Sequence, residues 1–134
     1  MISIPKNVQE FLPGKMGWVG TSTPDGIPNV TPKGTIRLLD DQHVMFADLF
    51  SLKTRQNLEK NPKVAVTVID LAVAKGYQLK GTAELISSGP LFEQFAAQLK
   101  QAAPSLPPPK YVVKIAVESV FDQSAGPDAG KQIA

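Results

Sequence analysis

The 134-residue sequence predicts a mainly β protein with a few helices, folded as a closed antiparallel sheet. About six short segments show the alternation or the β-branched run that is typical of strands. Turn signals rich in glycine, proline and aspartate separate several of them. Closing such a sheet removes exposed strand edges, which otherwise promote aggregation. We therefore expect a small barrel.

Composition bounds the possible functions. Hydrophobic residues make up 43% of the chain and charged residues 19%, as in ordinary globular proteins, and the length suits a single domain spanning residues 1–134. A net charge of +2 argues against nucleic acid as the partner. With no cysteine and one histidine, disulfides, thiol nucleophiles and clusters of cysteine or histidine metal ligands are excluded.

The first residues, Met1–Lys6, lack the basic region and apolar core of a secretory signal. No apolar run approaches the ~20 residues that a membrane helix requires. We therefore expect a soluble cytoplasmic protein without a membrane partner.

The first third of the chain predicts a helix followed by a hairpin. The helix runs from Lys6 to Leu12 and ends at Pro13-Gly14. A strand from Met16 to Thr23 leads through the turn Thr23-Pro24-Asp25-Gly26 into the segment Ile27–Pro32. Because prolines 28 and 32 cannot donate ladder hydrogen bonds, we place this segment at an edge or a bulge.

A second strand pair joins Thr35–Leu39 to Val44–Ala47 across a polar turn. His43 stands beside that turn, where we expect it to be exposed and without a chemical role. Farther along, Val64–Ile69 is apolar on both of its faces and is expected to be buried on both. Gly76–Ile86 and Tyr111–Phe121 complete the strands.

A helix is predicted between the last two strands, opening at Gly89-Pro90. Its apolar residues recur at helical spacing and are interpreted as core packing: Leu91, Phe92, Phe95, Ala96 and Leu99. The following run, Pro107-Pro108-Pro109, predicts a stiff extended connector to the last strand.

The most informative segment is a short helix that begins near Ser51 and ends at Asn61-Pro62. Ser51 is a plausible N-cap, but the first turn supplies Lys53, Thr54 and Arg55 and no carboxylate. Since a helix N-terminus carries a partial positive charge, this composition favours an external anion such as phosphate. The alternative is a pair of solvated cations, because the mismatch costs only ~0.3–1 kcal/mol.

A family resemblance lies in the string Lys53-Thr54-x-x-Asn57-Leu58-x-x-Asn61-Pro62-x-Val64, set between the strand pair and the valine-rich strand. Over roughly residues 8–122 the chain resembles the FMN-binding split barrels related to pyridoxamine 5'-phosphate oxidase, and especially their short single-domain members. The resemblance implies a six-stranded split β-barrel that forms a homodimer, with one FMN at each end of the interface.

The resemblance also implies roles for individual residues. Lys53 and Thr54 would hold the FMN phosphate, and Asn57 would order that loop or reach the ribityl chain. The remaining positions would border the isoalloxazine ring or the phosphate: Val30, Thr31, Pro32, Lys33, Ala47, Asp48 and Ser51. Thr31 and Lys33 have a simpler alternative, as ordinary polar residues on an edge strand.

Two further features bear on these expectations. Trp18 is expected in the core, with the dimer interface as the alternative. The tail around Gly126–Lys131 either frays or folds over the partner subunit.

Vitamin B6 oxidases of the family hold their substrate with C-terminal arginine and histidine residues, and residues 124–134 contain neither type. Oxidation of pyridoxamine phosphate is therefore not expected.

The function that follows is a dimeric FMN protein that transfers electrons or hydride, as an oxidoreductase acting on a small redox substrate or as an electron-transfer protein. A non-catalytic flavin carrier is the first alternative. The second is a binder of another ligand, such as the deazaflavin F420, heme or an oligonucleotide, because one fold can serve several ligands.

Overall fold

The computed structural model describes residues 1–134 and contains a single antiparallel sheet with three helices. The elements in chain order are α1 (Lys6–Phe11), β1 (Met16–Ser22), β2 (Pro28–Lys33), β3 (Arg37–Leu38), β4 (His43–Asp48), α2 (Lys53–Lys60), β5 (Lys63–Asp70), β6 (Lys75–Ile86), α3 (Pro90–Ala102) and β7 (Tyr111–Asp122). This confirms the mainly β class. The sheet has seven strands rather than the six that the resemblance implies. None of the three helices combines the length and apolar character that spanning a membrane would demand.

The strand order is β2-β1-β5-β6-β7-β4-β3, and every neighbouring pair is antiparallel. The sheet curls, and its two edge strands, β2 and β3, are joined by the short link at residues 34–36. The edge position of β2 is the one that Pro28 and Pro32 predict, since an edge strand needs only one row of amides.

The core lies inside the curl and contains 17 buried residues. The N-terminal segment contributes Ile4, Val8 and Leu12, and the strands contribute alternate side chains. On β7 the residues that join this core are Val113, Ile115, Val117 and Val120. Their alternation shifts by one after Val117, because a β-bulge in β7, opposite Lys80 and Gly81 of β6, inserts Glu118 as an extra residue.

The outer face of the sheet is covered in one part only. There α3 packs Phe95 and Leu99 against β4 and β7, forming a second cluster with Met45, Ala47 and Val112. The outer face of β1, β5 and β6 has no covering element. Our expectation that β5 is buried on both faces is therefore wrong for this chain: Val66 is buried, but Ala65 and Thr67 are half-buried. Trp18 lies on the same outer face and is not part of the core.

Two local expectations are also corrected. His43 is half-buried rather than exposed, and its Nδ1 lies 2.8 Å from Oδ1 of Asp40. The C-terminal tail does not fray. It turns back along β7, where the Val120 amide donates to the Ala134 carbonyl at 2.9 Å and Phe121 pairs with Gln132. This main-chain pairing contradicts the frayed alternative, while contact of the tail with a partner subunit stays a prediction.

Gly81 is predicted to be intolerant of a side chain. A Cβ at this position would overlap the carbonyl oxygen of Ala116, whereas a Cβ at Gly20 would lie 3.7 Å from the nearest atom, the carbonyl oxygen of Ala65. Backbone cannot yield as a flexible side chain can, so Gly81→Ala should lower the free energy of unfolding by ~1–3 kcal/mol. Gly20→Ala, the matched control, should change it by less than ~1 kcal/mol. Equal urea midpoints for the two variants would contradict the packing argument.

Candidate functional site

The candidate site lies where the inner face of β2 meets the end of β4 and the entrance of α2. Register with β1 places Thr31 opposite Val19, a core residue, so the odd-numbered side chains of β2 face inward. These are Asn29, Thr31 and Lys33. Val30 and Pro32 point to the outer face and are exposed, Val30 to 66%. The four β2 residues that the resemblance places at the ring therefore divide between the two sides of the strand.

A cluster of hydroxyl and amide groups joins β2 to α2. The hydroxyl oxygens of Thr31 and Thr54 are 2.9 Å apart, and Thr54 is only 1% exposed. Asn29 Nδ2 donates to Thr31 Oγ1 at 3.2 Å and to Thr54 Oγ1 at 3.3 Å. Asn29 was missed by the sequence reasoning, although its two-residue spacing from Thr31 on one strand indicates a shared face. Thr31 is thus more than an isolated polar residue on an edge.

Asn57 is committed to a contact with β1. Its side-chain nitrogen donates to Thr21 Oγ1 at 3.0 Å, and both residues are buried. This bond holds the middle of α2 against the hairpin, and it uses a donor that the resemblance assigned either to loop order or to a ribityl chain. Thr21 carried no distinguishing signal in the sequence, since its partner is distant along the chain.

A buried ion pair links β2 to the loop before α2. Lys33 is 8% exposed and Asp48 is 2% exposed, and Nζ lies 3.9 Å from Oδ1. The Lys33 ammonium donates to the Ser51 hydroxyl, while the Ser51 amide donates to Asp48 Oδ1 at 2.9 Å. Burial lowers the pKa of Lys33, and the charge of Asp48 opposes that effect. The burial rules out the simple edge-strand alternative for Lys33.

The predicted N-cap role of Ser51 is wrong. The helix begins at Lys53, Leu52 occupies the N-cap position, and no side chain caps it. Ser51 instead accepts the charge-assisted bond from Lys33, which is stronger than a bond between neutral groups. The Ala47 side chain also points away from the candidate site. It packs against α3, and the Ala47 amide donates to Thr35 Oγ1 at 3.0 Å.

The entrance of α2 is consequently open to an anion. No protein group accepts hydrogen bonds from the amides of residues 53–55, and the first turn contains no acidic residue. Lys53 is exposed beside these amides. Arg55 is directed elsewhere, because it lies 3.8 Å from Glu59 and 5.9 Å from the ring centre of Tyr111. The two cations that looked alike in the sequence therefore differ in availability.

Comparison with known proteins gives consistent matches. The family model for pyridoxamine 5'-phosphate oxidase matches residues 4–124. An uncharacterized protein of Methanocaldococcus jannaschii is 34% identical over 136 residues, covering 100% of this chain and 90% of that protein.

Solved structures share the same fold. HupZ of Group A Streptococcus is similar with a TM-score of 0.82 and 29% identity, over 95% of this chain and 99% of that one. An FMN-binding protein from Syntrophomonas wolfei has a TM-score of 0.72 and 15% identity, over 83% of this chain and 78% of that one. At that identity the second likeness shows the fold alone. The curled sheet is accordingly a split barrel, as the resemblance implied.

The Lys33–Asp48 pair should show strong energetic coupling. Lys33→Met leaves a buried carboxylate without its cation, and Asp48→Asn leaves a buried ammonium without its anion, so each should destabilise the protein. The double variant should be more stable than the sum of the two effects predicts, by ~0.5–3 kcal/mol in urea unfolding at neutral pH.

A surface pair provides the control for this cycle. Lys131 and Asp128 lie 2.9 Å apart with side chains 65% and 66% exposed. A parallel double-mutant cycle there should give a coupling below ~1 kcal/mol. Additive effects at Lys33 and Asp48 would contradict the assignment of a coupled buried pair.

Proposed function

Because the chain belongs to the pyridoxamine 5'-phosphate oxidase family, we propose that it is an FMN-binding protein that transfers electrons or hydride, with FMN held at a homodimer interface. The observation that carries this proposal is the entrance of α2. A terminal phosphate group is a compact anion with several acceptor oxygens, and it would satisfy the backbone donors that the fold leaves unpaired at this helix end.

The residues around the entrance fit a phosphate. Lys53 supplies an exposed cation at the first position of α2, and Thr54 supplies a hydroxyl from within the buried cluster. The helix dipole favours negative charge at the same place. Each of these contributions is modest, but they converge on one location, and no acidic residue of the first turn opposes them.

The ring would lie along β2, bordered by Val30, Thr31, Pro32 and Lys33. Pro32 has no amide to donate, so its contribution is packing or its carbonyl. The Lys33 ammonium is positioned by Ser51 and Asp48, and it would provide a positive charge near the polar rim of the ring. When bound, FMN supplies the redox chemistry, while the protein binds and orients it and tunes its electronics.

The uncovered outer face supports the homodimer. Cross-strand register aligns Pro32, Trp18, Thr67 and Gln78 in one row across β2, β1, β5 and β6. Residues in such a row point to the same side of the sheet. Covering this row would remove apolar surface of a half-buried tryptophan and an exposed proline from water. A second copy would cover the row and would also approach Val30 on β2.

The FMN proposal is tested with the purified protein and a matched pair of lysine variants. Bands at flavin wavelengths, and quenching of added FMN fluorescence, are expected. Lys53→Ala should weaken FMN binding roughly tenfold or more, because a charge-assisted contact is worth ~1.5–3 kcal/mol. Lys60→Ala, at the other end of the same helix and also exposed, should leave the affinity unchanged.

The proposal would be contradicted if the protein did not bind FMN, or if the Lys53→Ala and Lys60→Ala variants had the same affinity for FMN. Thr54→Ala is a less clean probe, because Thr54 is buried and its removal also deprives Thr31 of a hydrogen-bond partner. Bleaching of bound FMN by reduced nicotinamide without oxygen would favour redox activity over a carrier role.

The dimer proposal is tested by sedimentation equilibrium. Trp18→Lys places a charge in the middle of the uncovered outer face and should shift the protein from dimer to monomer, since an unpaired charge is costly to bury. Gln101→Lys on the exposed side of α3 is the control and should remain dimeric. A wild-type protein that is monomeric with FMN bound would refute the interface.

A further inference from the structure

A separate cavity of about 290 Å³ lies between α3 and the connector that leads to β7. Its walls are mainly alanine, leucine and proline side chains, including Leu49, Ala96, Leu99 and Leu106. None of the FMN-site residues proposed above lines it. The proposed function leaves this cavity without a role.

Rigid chain segments form one wall of the cavity. Proline fixes φ, so Pro104 and the run Pro107–Pro109 resist collapse toward the helix. The connector begins with a turn, in which the Leu106 amide donates to the Ala103 carbonyl at 3.1 Å, and its end is held to β4, where the Lys110 amide donates to the Asp48 carbonyl at 3.0 Å. The facing side chains on α3 include Ala96 and Ala97, which are too short to fill the space.

One charged side chain lines this apolar space. Lys100 is exposed, belongs to the last turn of α3, and forms neither an ion pair nor a side-chain hydrogen bond to any acidic residue. A cation at a helix C-terminus interacts favourably with the helix dipole. That interaction leaves the ammonium without a counter-ion at the edge of an apolar wall, and an anionic group on a ligand would complement it.

We propose that this cavity binds a small apolar molecule carrying one anionic group, of which an aromatic carboxylate is the simplest example. The ring would occupy the space between α3 and the prolines, and the carboxylate would face Lys100. Ligand sites of this type combine mostly apolar walls with a few polar groups that fix orientation. Leu49 lies in the lining and directly follows Asp48, so a ligand here would contact the loop that leads to α2.

The test compares two probes that differ in charge. Calorimetric titration of the full-length protein uses 2-naphthoate and its neutral analogue 2-naphthamide. We expect the affinity for 2-naphthoate to be roughly tenfold or more above that for 2-naphthamide, because a hydrogen bond between the Lys100 ammonium and a carboxylate is stronger than one to a neutral amide. Lys100→Ala should remove that preference. Lys75→Ala, which removes the same charge at an exposed position outside the lining, should preserve it.

A second variant locates the ligand. Ala97 is exposed on α3 and lines the cavity, so Ala97→Trp should fill the space and abolish binding of both probes, with helix content checked by circular dichroism. The proposal is overturned if neither probe binds, if Lys100→Ala keeps the preference for 2-naphthoate, or if a folded Ala97→Trp variant still binds. FMN affinity in Lys100→Ala should match wild type, which separates this site from the flavin proposal.

Discussion

The contact between Lys33, Ser51 and Asp48 is the constraint on which the site depends. It joins an edge strand to the loop before α2, and it is nearly excluded from water. Burying an ammonium and a carboxylate is costly unless the pair is close and additional hydrogen bonds satisfy both groups. Here the Ser51 hydroxyl and amide supply those bonds, one to each partner. The path of the loop is thereby determined, and with it the position at which α2 begins.

The same contact explains why the helix entrance is open. Ser51 would be a good N-cap by residue type, but its hydroxyl is engaged by the buried Lys33 ammonium. The first-turn amides therefore keep no partner from the protein, and Lys53 stands beside them without a competing carboxylate. Because the Ser51 hydroxyl bonds to Lys33, the backbone amides of the first turn of α2 remain available as hydrogen-bond donors to an anion.

Much of this arrangement was accessible from the sequence because it is local. The string from Lys53 to Val64 indicated the family and the helix entrance proposed to hold a phosphate, and prolines 28 and 32 indicated the edge strand. Asn29 and Thr21 were not recognised, because their partners, Thr54 and Asn57, come from a helix more than twenty residues away. The different availability of Lys53 and Arg55 was equally hidden, since it depends on the neighbours that the fold brings to each side chain.

The sequence by itself determined the strand alternation, the turns and the points at which glycine and proline end a helix, because side-chain periodicity and the special geometry of these two residues act on the local backbone. Only the tertiary structure decided what covers each face. The sequence of β5 predicts two buried sides, but one side packs in the core and the other is only half-buried, since α3 crosses β4 and β7 instead. Burial of Lys33 arises in the same way, because β2 packs against the loop before α2, which lies farther along the chain.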